Sequence, residues 1–186
     1  TYGDQELGVY FYYKFLNLGL KVSLAAGTDS NCIHDEGACF PRTYALLEPG
    51  QQLSYSNWFE AIKAGRTSIA YGPSEFLHLT VEGQEVGSDI QVDSDLNPTV
   101  QAVATLHVAD GVSANDVIEI LYNREVIASQ PVSLAAGGVH VFQFDVPVPK
   151  SGWIAARLQS MKAHTAANFV YVDPVSYTHL TLPTME

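Results

Sequence analysis

Basic residues are scarce in this chain. Nine Lys and Arg stand against 20 Asp and Glu in 186 residues, a formal charge of −11. Phosphate backbones and anionic membrane surfaces are bound through basic patches, so neither nucleic acid nor membrane is expected as a partner. Cysteine is equally sparse. Cys32 and Cys39 fall in one loop; two thiols are no disulfide framework, although the pair could close in an exported protein. No apolar run approaches the roughly 20 residues of a membrane span. The chain opens at Thr1 with neither Met nor a signal peptide, which leaves a lost targeting segment open. Also missing are a nucleophile elbow, a phosphate loop, a dinucleotide fingerprint and an HExxH pair. Their absence sets aside α/β serine hydrolases, P-loop enzymes, Rossmann enzymes and zincins. What remains is globular: 47 % apolar and 16 % charged residues, with 14 Gly and 9 Pro, in a length that suits one ordinary domain or two small ones.

The hydrophobic period changes once along the chain. Through residue 74 the reading is α/β. Leu7, Phe11, Phe15 and Leu18 recur at helical spacing, with Gly19 as a stop. Val22 to Ala26 is short and apolar, the signature of a strand buried on both faces. A polar loop from Thr28 to about Pro41 follows, then a short strand over Thr43–Leu47. A helix is expected over Trp58–Ala64, opened by Ser56 or Asn57 and closed by Gly65, and another short strand over Thr67–Tyr71. Such alternation predicts parallel strands joined by crossover helices. From Phe76 the period becomes two. Leu77, Leu79 and Val81 alternate with polar residues, as do Val100 to Val108 and Phe142, Phe144 and Val146. Asn123-Arg124-Glu125 separates two apolar runs as a hairpin turn would. Trp153–Leu158 and Phe169–Val172 complete about seven strands, and residues 75–174 read as an antiparallel β-sandwich.

One local pattern bears on chemistry. In Ala25-Ala26-Gly27-Thr28-Asp29-Ser30-Asn31, a carboxylate follows directly on the expected buried strand. That is where barrel enzymes hold metals and catalytic groups, although a loop Asp bonded to its own backbone reads the same way. His34, Asp35 and Glu36 could join Asp29 around a cation or form a solvated acidic loop. Arg42 could clamp an anionic substrate or make a structural ion pair. His164 lies between strands and could face the same site, and Arg157 would need a partner if buried. His78, His107 and His140 fall in strands and read as surface or rim residues.

Leu16-Asn-Leu-Gly-Leu20, Leu24-Ala-Ala-Gly-Thr-Asp29, Asn57-Trp-Phe-Glu-Ala-Ile-Lys-Ala-Gly-Arg-Thr67, Tyr71-Gly-Pro73, Leu79-Thr-Val-Glu-Gly83, Gly87-Ser-Asp89, Ser151-Gly-Trp-Ile-Ala-Ala-Arg157 and Ala163-His-Thr165 occur in that order. Together they resemble the C-terminal end of the PHP (polymerase and histidinol phosphatase) metallohydrolases, most nearly the carbaryl-esterase-like CehA/McbA branch. The resemblance implies the C-terminal part of a (β/α)7 barrel over residues 1–74, followed by the sandwich. It implies divalent ions (zinc, manganese or iron) and hydrolysis of a small carboxyl, carbamate or phosphate ester by a metal-activated water. Asp29 matches a late metal ligand. Asn31 stands where many relatives carry a second ligand, a histidine; either His34 substitutes for it from a shifted loop, or this branch needs fewer ligands. The remaining ligands would precede Thr1, so the chain by itself is expected to be inactive. Relatives of this branch are often exported, which suits a periplasmic or secreted protein. The alternative is a non-catalytic β-sandwich module that binds a glycan or a protein. Oligomeric state stays open. Residues 175–186 are set apart, because Val175-Ser-Tyr-Thr-His-Leu-Thr-Leu-Pro-Thr184 is similar to a translated sequencing-library adapter. The natural protein is expected to continue beyond Pro174.

Overall fold

The computed structural model describes residues 11–27, 42–70, 75–93, 98–111, 114–134, 137–159, 164–167 and 170–175. These residues build two packed β-sheets with two helices on the outside. The sandwich expected from residue 75 onward is formed. The smaller sheet runs β4-β3-β6-β9, from Gln84–Glu85, Glu75–Val81, Thr99–Val108 and Gly138–Pro147. All its pairings are antiparallel, with Leu77 opposite Leu106 and Ala104 opposite Phe142. The larger sheet centres on β10 (Gly152–Gln159). On one side β10 pairs with β7 (Ala114–Tyr122), which carries β8 (Glu125–Leu134) at the edge. On the other side it pairs with β11 (His164–Ala167) and β12 (Val170–Val175). β5 (Asp89–Asp93) runs parallel to β12.

The period-two residues explain the packing. Leu77, Leu79 and Val81 of β3 and Ala102, Ala104 and Leu106 of β6 are buried against Ile118 and Ile120 of β7 and Ile154, Ala156 and Leu158 of β10. Each buried aliphatic side chain contributes about 1.5–3 kcal/mol of transfer free energy. The β7–β8 turn has the left-handed conformation that hairpins favour, here without glycine: Asn123 has φ 49° and Arg124 φ 81°. Asn123 is held there because its Oδ1 accepts the Trp153 backbone N–H at 3.1 Å.

The barrel expected over residues 1–74 is not formed among the described residues. β1 (Arg42–Ala45) and β2 (Thr67–Ala70) are antiparallel, with Arg42 opposite Ala70 and Ala45 opposite Thr67. β2 is in turn antiparallel to β11, which places the pair inside the larger sheet of the sandwich. The helix between them, α2 (Tyr55–Lys63), is therefore an excursion from a hairpin and not a crossover. Its two ends are pinned together, since the Leu46 N–H donates to the Arg66 carbonyl at 2.9 Å. Strand–helix–strand alternation is common to both arrangements, so the sequence pattern did not separate them.

The strand expected at Val22–Ala26 is also absent. Only Leu24 in that run is buried. Side-chain hydroxyls hold this segment instead of a strand ladder. Thr67 Oγ1 donates to the Leu24 carbonyl at 2.6 Å, and Thr43 Oγ1 both donates to the Ala26 carbonyl and accepts its N–H. α2 opens earlier than expected, at Ser54, whose hydroxyl accepts the Asn57 N–H at 3.1 Å.

The described part of α1, residues 11–17, lies on the outer face of the larger sheet. It ends in a Schellman cap: Gly19, at φ 76°, donates to the Leu16 carbonyl, and Leu20 donates to that of Phe15. The buried face of α1 is not the expected one. Tyr13 and Leu16 pack on Trp153, Leu121 and Ala155, whereas Phe11, Phe15 and Leu18 are exposed. Burial raises the phenol pKa of Tyr12, Tyr13 and Tyr171 above the ordinary 10.0; the nearby Arg157 opposes the effect at Tyr13, and the Asp89 carboxylate adds to it at Tyr171. The unfolded chain can ionise these phenols from about pH 10, while the docked helix must keep them neutral. Docking is thus at full strength below pH 10 and weakens as pH rises through the folded values. In a Trp58→Phe background, Trp153 emission is expected to stay constant through neutral pH and shift to the red only above about pH 10. A transition centred near neutrality would contradict this account.

Candidate functional site

Asp29, Asn31 and His34 lie outside the described residues, as do Cys32 and Cys39. Arg42 heads β1 and is half-buried. His164 opens β11, its backbone opposite Gln159. Since Arg42 faces Ala70 and Ala166 faces Ile69, the backbones of Arg42 and His164 share one end of the larger sheet. Among the described residues no group of three or more His, Cys, Asp and Glu is disposed to hold a metal ion. Arg157 has the partner it requires: its Nε donates to Glu119 Oε2 at 2.6 Å under α1. Burial works against the guanidinium charge, but hydrogen bonds and attraction from Glu119 and Tyr13 outweigh it and raise the Arg157 pKa. This pair supports the helix rather than a site.

The described chemistry gathers on the outward face of the smaller sheet, where β3 meets the β1–β2 ribbon. Leu77 and Leu79 point into the sandwich, so the alternation turns Phe76 and His78 outward. Register then extends two rows across the sheet. Phe76 lies opposite His107, and His107 opposite Val139; His78 lies opposite Thr105, and Thr105 opposite Val141. Tyr44 of β1 prolongs the first row. Its ring centre is 4.9 Å from that of Phe76, which is 5.6 Å from His107. His78 Nε2 is 2.5 Å from Glu85 Oε2 of β4, which ends the second row in a carboxylate. Val139 and Val141 are about 60 % exposed, an unusual position for two valines on one strand.

A cavity of about 110 Å³ opens beside the rings. Tyr44, Phe76, His78, Arg66 and Ser68 line it. Arg66 is fixed by two contacts: NH1 lies 2.8 Å from Glu48 Oε1, and Nε donates to the Leu46 carbonyl at 3.2 Å. An enclosing small-molecule pocket has roughly 300–1,000 Å³, so this is a dent at the end of a platform. The arrangement provides ring faces, a guanidinium and an imidazole–carboxylate pair around a shallow opening. It can stack and hydrogen-bond a ligand lying across it. Sequence reasoning placed His78 and His107 on the surface but left them unconnected to Tyr44 and Phe76. The available signal was Phe76 itself, an aromatic residue on the polar phase of an alternating strand.

A second apolar patch lies on α2. Tyr55 stacks on Phe59 with centres 6.2 Å apart and meets Trp58 at 6.1 Å, and all three rings are exposed.

No family model matches the chain, and no curated protein matches it. Among solved structures, the chain is similar to the CARDB domain of a Pyrococcus furiosus protein, with 13 % identity and a TM-score of 0.37 over 55 % of this chain and 95 % of that one. It is also similar to a β-glucosidase from Listeria innocua in complex with glucose, with 15 % identity and a TM-score of 0.37 over 57 % of this chain and 17 % of the β-glucosidase.

Proposed function

We propose that this chain acts as a non-catalytic β-sandwich binding module, which presents a ligand-binding face and performs no hydrolysis of its own. The observation that carries the reading is the row Tyr44–Phe76–His107–Val139 beside a shallow cavity. Its side chains are held by a rigid sheet, and its hydrogen-bonding groups are fixed by Glu85 and Glu48. Sheet-borne sites are placed more accurately than loop-borne ones, as recognition of a partner requires.

Metal-dependent ester hydrolysis is the second reading. One observation favours it, the shared sheet end of Arg42 and His164. The two readings separate in a simple assay with p-nitrophenyl acetate and p-nitrophenyl phosphate in the presence of zinc or manganese. The expected result is no turnover above a protein-free control. Metal-dependent turnover that titrates with protein overturns the module reading.

A further inference from the structure

We infer that the outward face of the β4-β3-β6-β9 sheet binds a neutral saccharide, its sugar rings laid along Tyr44, Phe76 and His107 and its hydroxyls bonded at the cavity. This deepens the binding-module reading and rests on it.

Size decides first between ligand classes. Strands are about 4.8 Å apart and same-face residues about 7 Å apart along a strand, so the two rows on β3, β6 and β9 form a floor roughly 10 Å by 7 Å. A protein partner needs about 800 Å² per side, around ten times that floor. Beyond it the same face of β6 and β9 carries the half-buried Val103 and then the polar Gln101, Gln143 and Asp145. A strip of this size fits one or two pyranose rings, whose C–H faces pack on aromatic faces. Val139 and Val141 form the β9 end of that floor without walling it.

Chemistry decides next. A sugar ring carries adjacent hydroxyls that both donate and accept, and it is held best by groups fixed in a plane. Arg66 offers a planar fork already anchored by Glu48, and Glu85 has a second oxygen able to accept while its first holds His78. Ser68 lines the same cavity. A charge of −11 argues against an acidic polysaccharide, because repulsion would oppose its approach.

The test is affinity electrophoresis of the whole chain in native gels containing amylopectin, galactomannan, arabinoxylan or hydroxyethylcellulose, with polygalacturonate as the acidic comparison. At least one neutral polymer is expected to retard the protein, and polygalacturonate is not. Tyr44→Ala and His107→Ala are each expected to weaken retardation about tenfold, equal to about 1.4 kcal/mol. His107 is exposed, so its replacement does not endanger the fold if Tyr44→Ala proves unstable. Tyr55→Ala, in the separate α2 patch, is expected to bind as the parent does. No retardation in any neutral gel is the outcome a protein partner would give, and it overturns the proposal. So does retardation that Tyr55→Ala abolishes, or equal retardation by polygalacturonate. Such failures leave the module reading standing as long as the p-nitrophenyl esters remain uncleaved. Metal-dependent cleavage removes that reading whatever the gels show.

Discussion

Replacing Trp153 by Ala is expected to destabilise the protein by about 3–5 kcal/mol and to release α1 from the sheet. Trp153 is fully buried, yet it lies outside the sandwich interior, on the outer face of β10. Tyr13 stacks on its ring with centres 5.2 Å apart, and Leu16 and Leu121 close around it. Its indole N–H donates to Asn17 Oδ1 at 2.7 Å, and Tyr171 donates to the Leu16 carbonyl at 3.1 Å. Truncation therefore opens a cavity and leaves the Asn17 amide without that donor. Urea denaturation would show the loss as a lower midpoint, and a smaller m-value if the mutant's native state already exposes α1. Trp153→Phe keeps a stacking ring and loses the N–H; about 1 kcal/mol is expected for that change. Because Asn17, Tyr13 and Trp153 share one contact set, the costs of Asn17→Ala and Trp153→Phe should not add. Full additivity, or a Trp153→Ala variant with the parent's midpoint, would show that α1 does not depend on this ring.

Local rules in the sequence carried as far as the elements and stopped at their partners. The inward stripe Leu77, Leu79 and Val81 was legible because period two is a property of one strand. The Gly19 and Gly65 stops were legible because a left-handed cap is settled within one turn. Which strand lies beside β2 is a non-local fact. Nothing within residues 67–70 distinguishes a barrel neighbour from β11, nearly a hundred residues later. The same gap hid the platform, since Tyr44, Phe76, His107 and Val139 come from four strands and meet only through the β3–β6–β9 register and the packing of the Tyr44 ring on Phe76. The face of α1 was misread for a related reason. Phe11, Phe15 and Leu18 form the better apolar stripe, but the sheet offers aromatic and polar partners to Tyr13 and Asn17. Gly87-Ser88-Asp89, one of the segments that carry the family likeness, also has a packing cause. Gly87 sits at φ 85°, and a Cβ there would lie 2.0 Å from the Ala64 carbonyl oxygen at the end of α2. Ser88 accepts the Tyr171 N–H through its carbonyl, and Asp89 pairs with Lys21. The motif thus holds the end of α2 and the segment that follows α1 against the sandwich.

Glu119→Ala is expected to cost about 3 kcal/mol, the lower end of the range for breaking a buried ion pair, because Arg157 keeps some access to water. Glu119 and Arg157 lie directly opposite each other on β7 and β10, beneath α1, with Tyr13 against the guanidinium. Removing the carboxylate leaves a guanidinium whose burial is no longer compensated by its nearest acceptor. The remedy is not a second polar group. Replacing both residues, Glu119→Leu with Arg157→Met, keeps the volume and removes both desolvation costs, so the double variant should lie within about 1 kcal/mol of the parent or above it. A double-mutant cycle read by urea midpoints at neutral pH isolates the pair. If Glu119→Leu and Arg157→Met were each cheap and additive, the pair would be an ordinary surface contact worth under about 1 kcal/mol. If each is costly alone and harmless together, the two charges only offset each other's burial, and the pair adds little net stability. That outcome leaves Trp153, with Tyr13 stacked on its ring and Asn17 bonded to its indole, as the main source of free energy for docking α1.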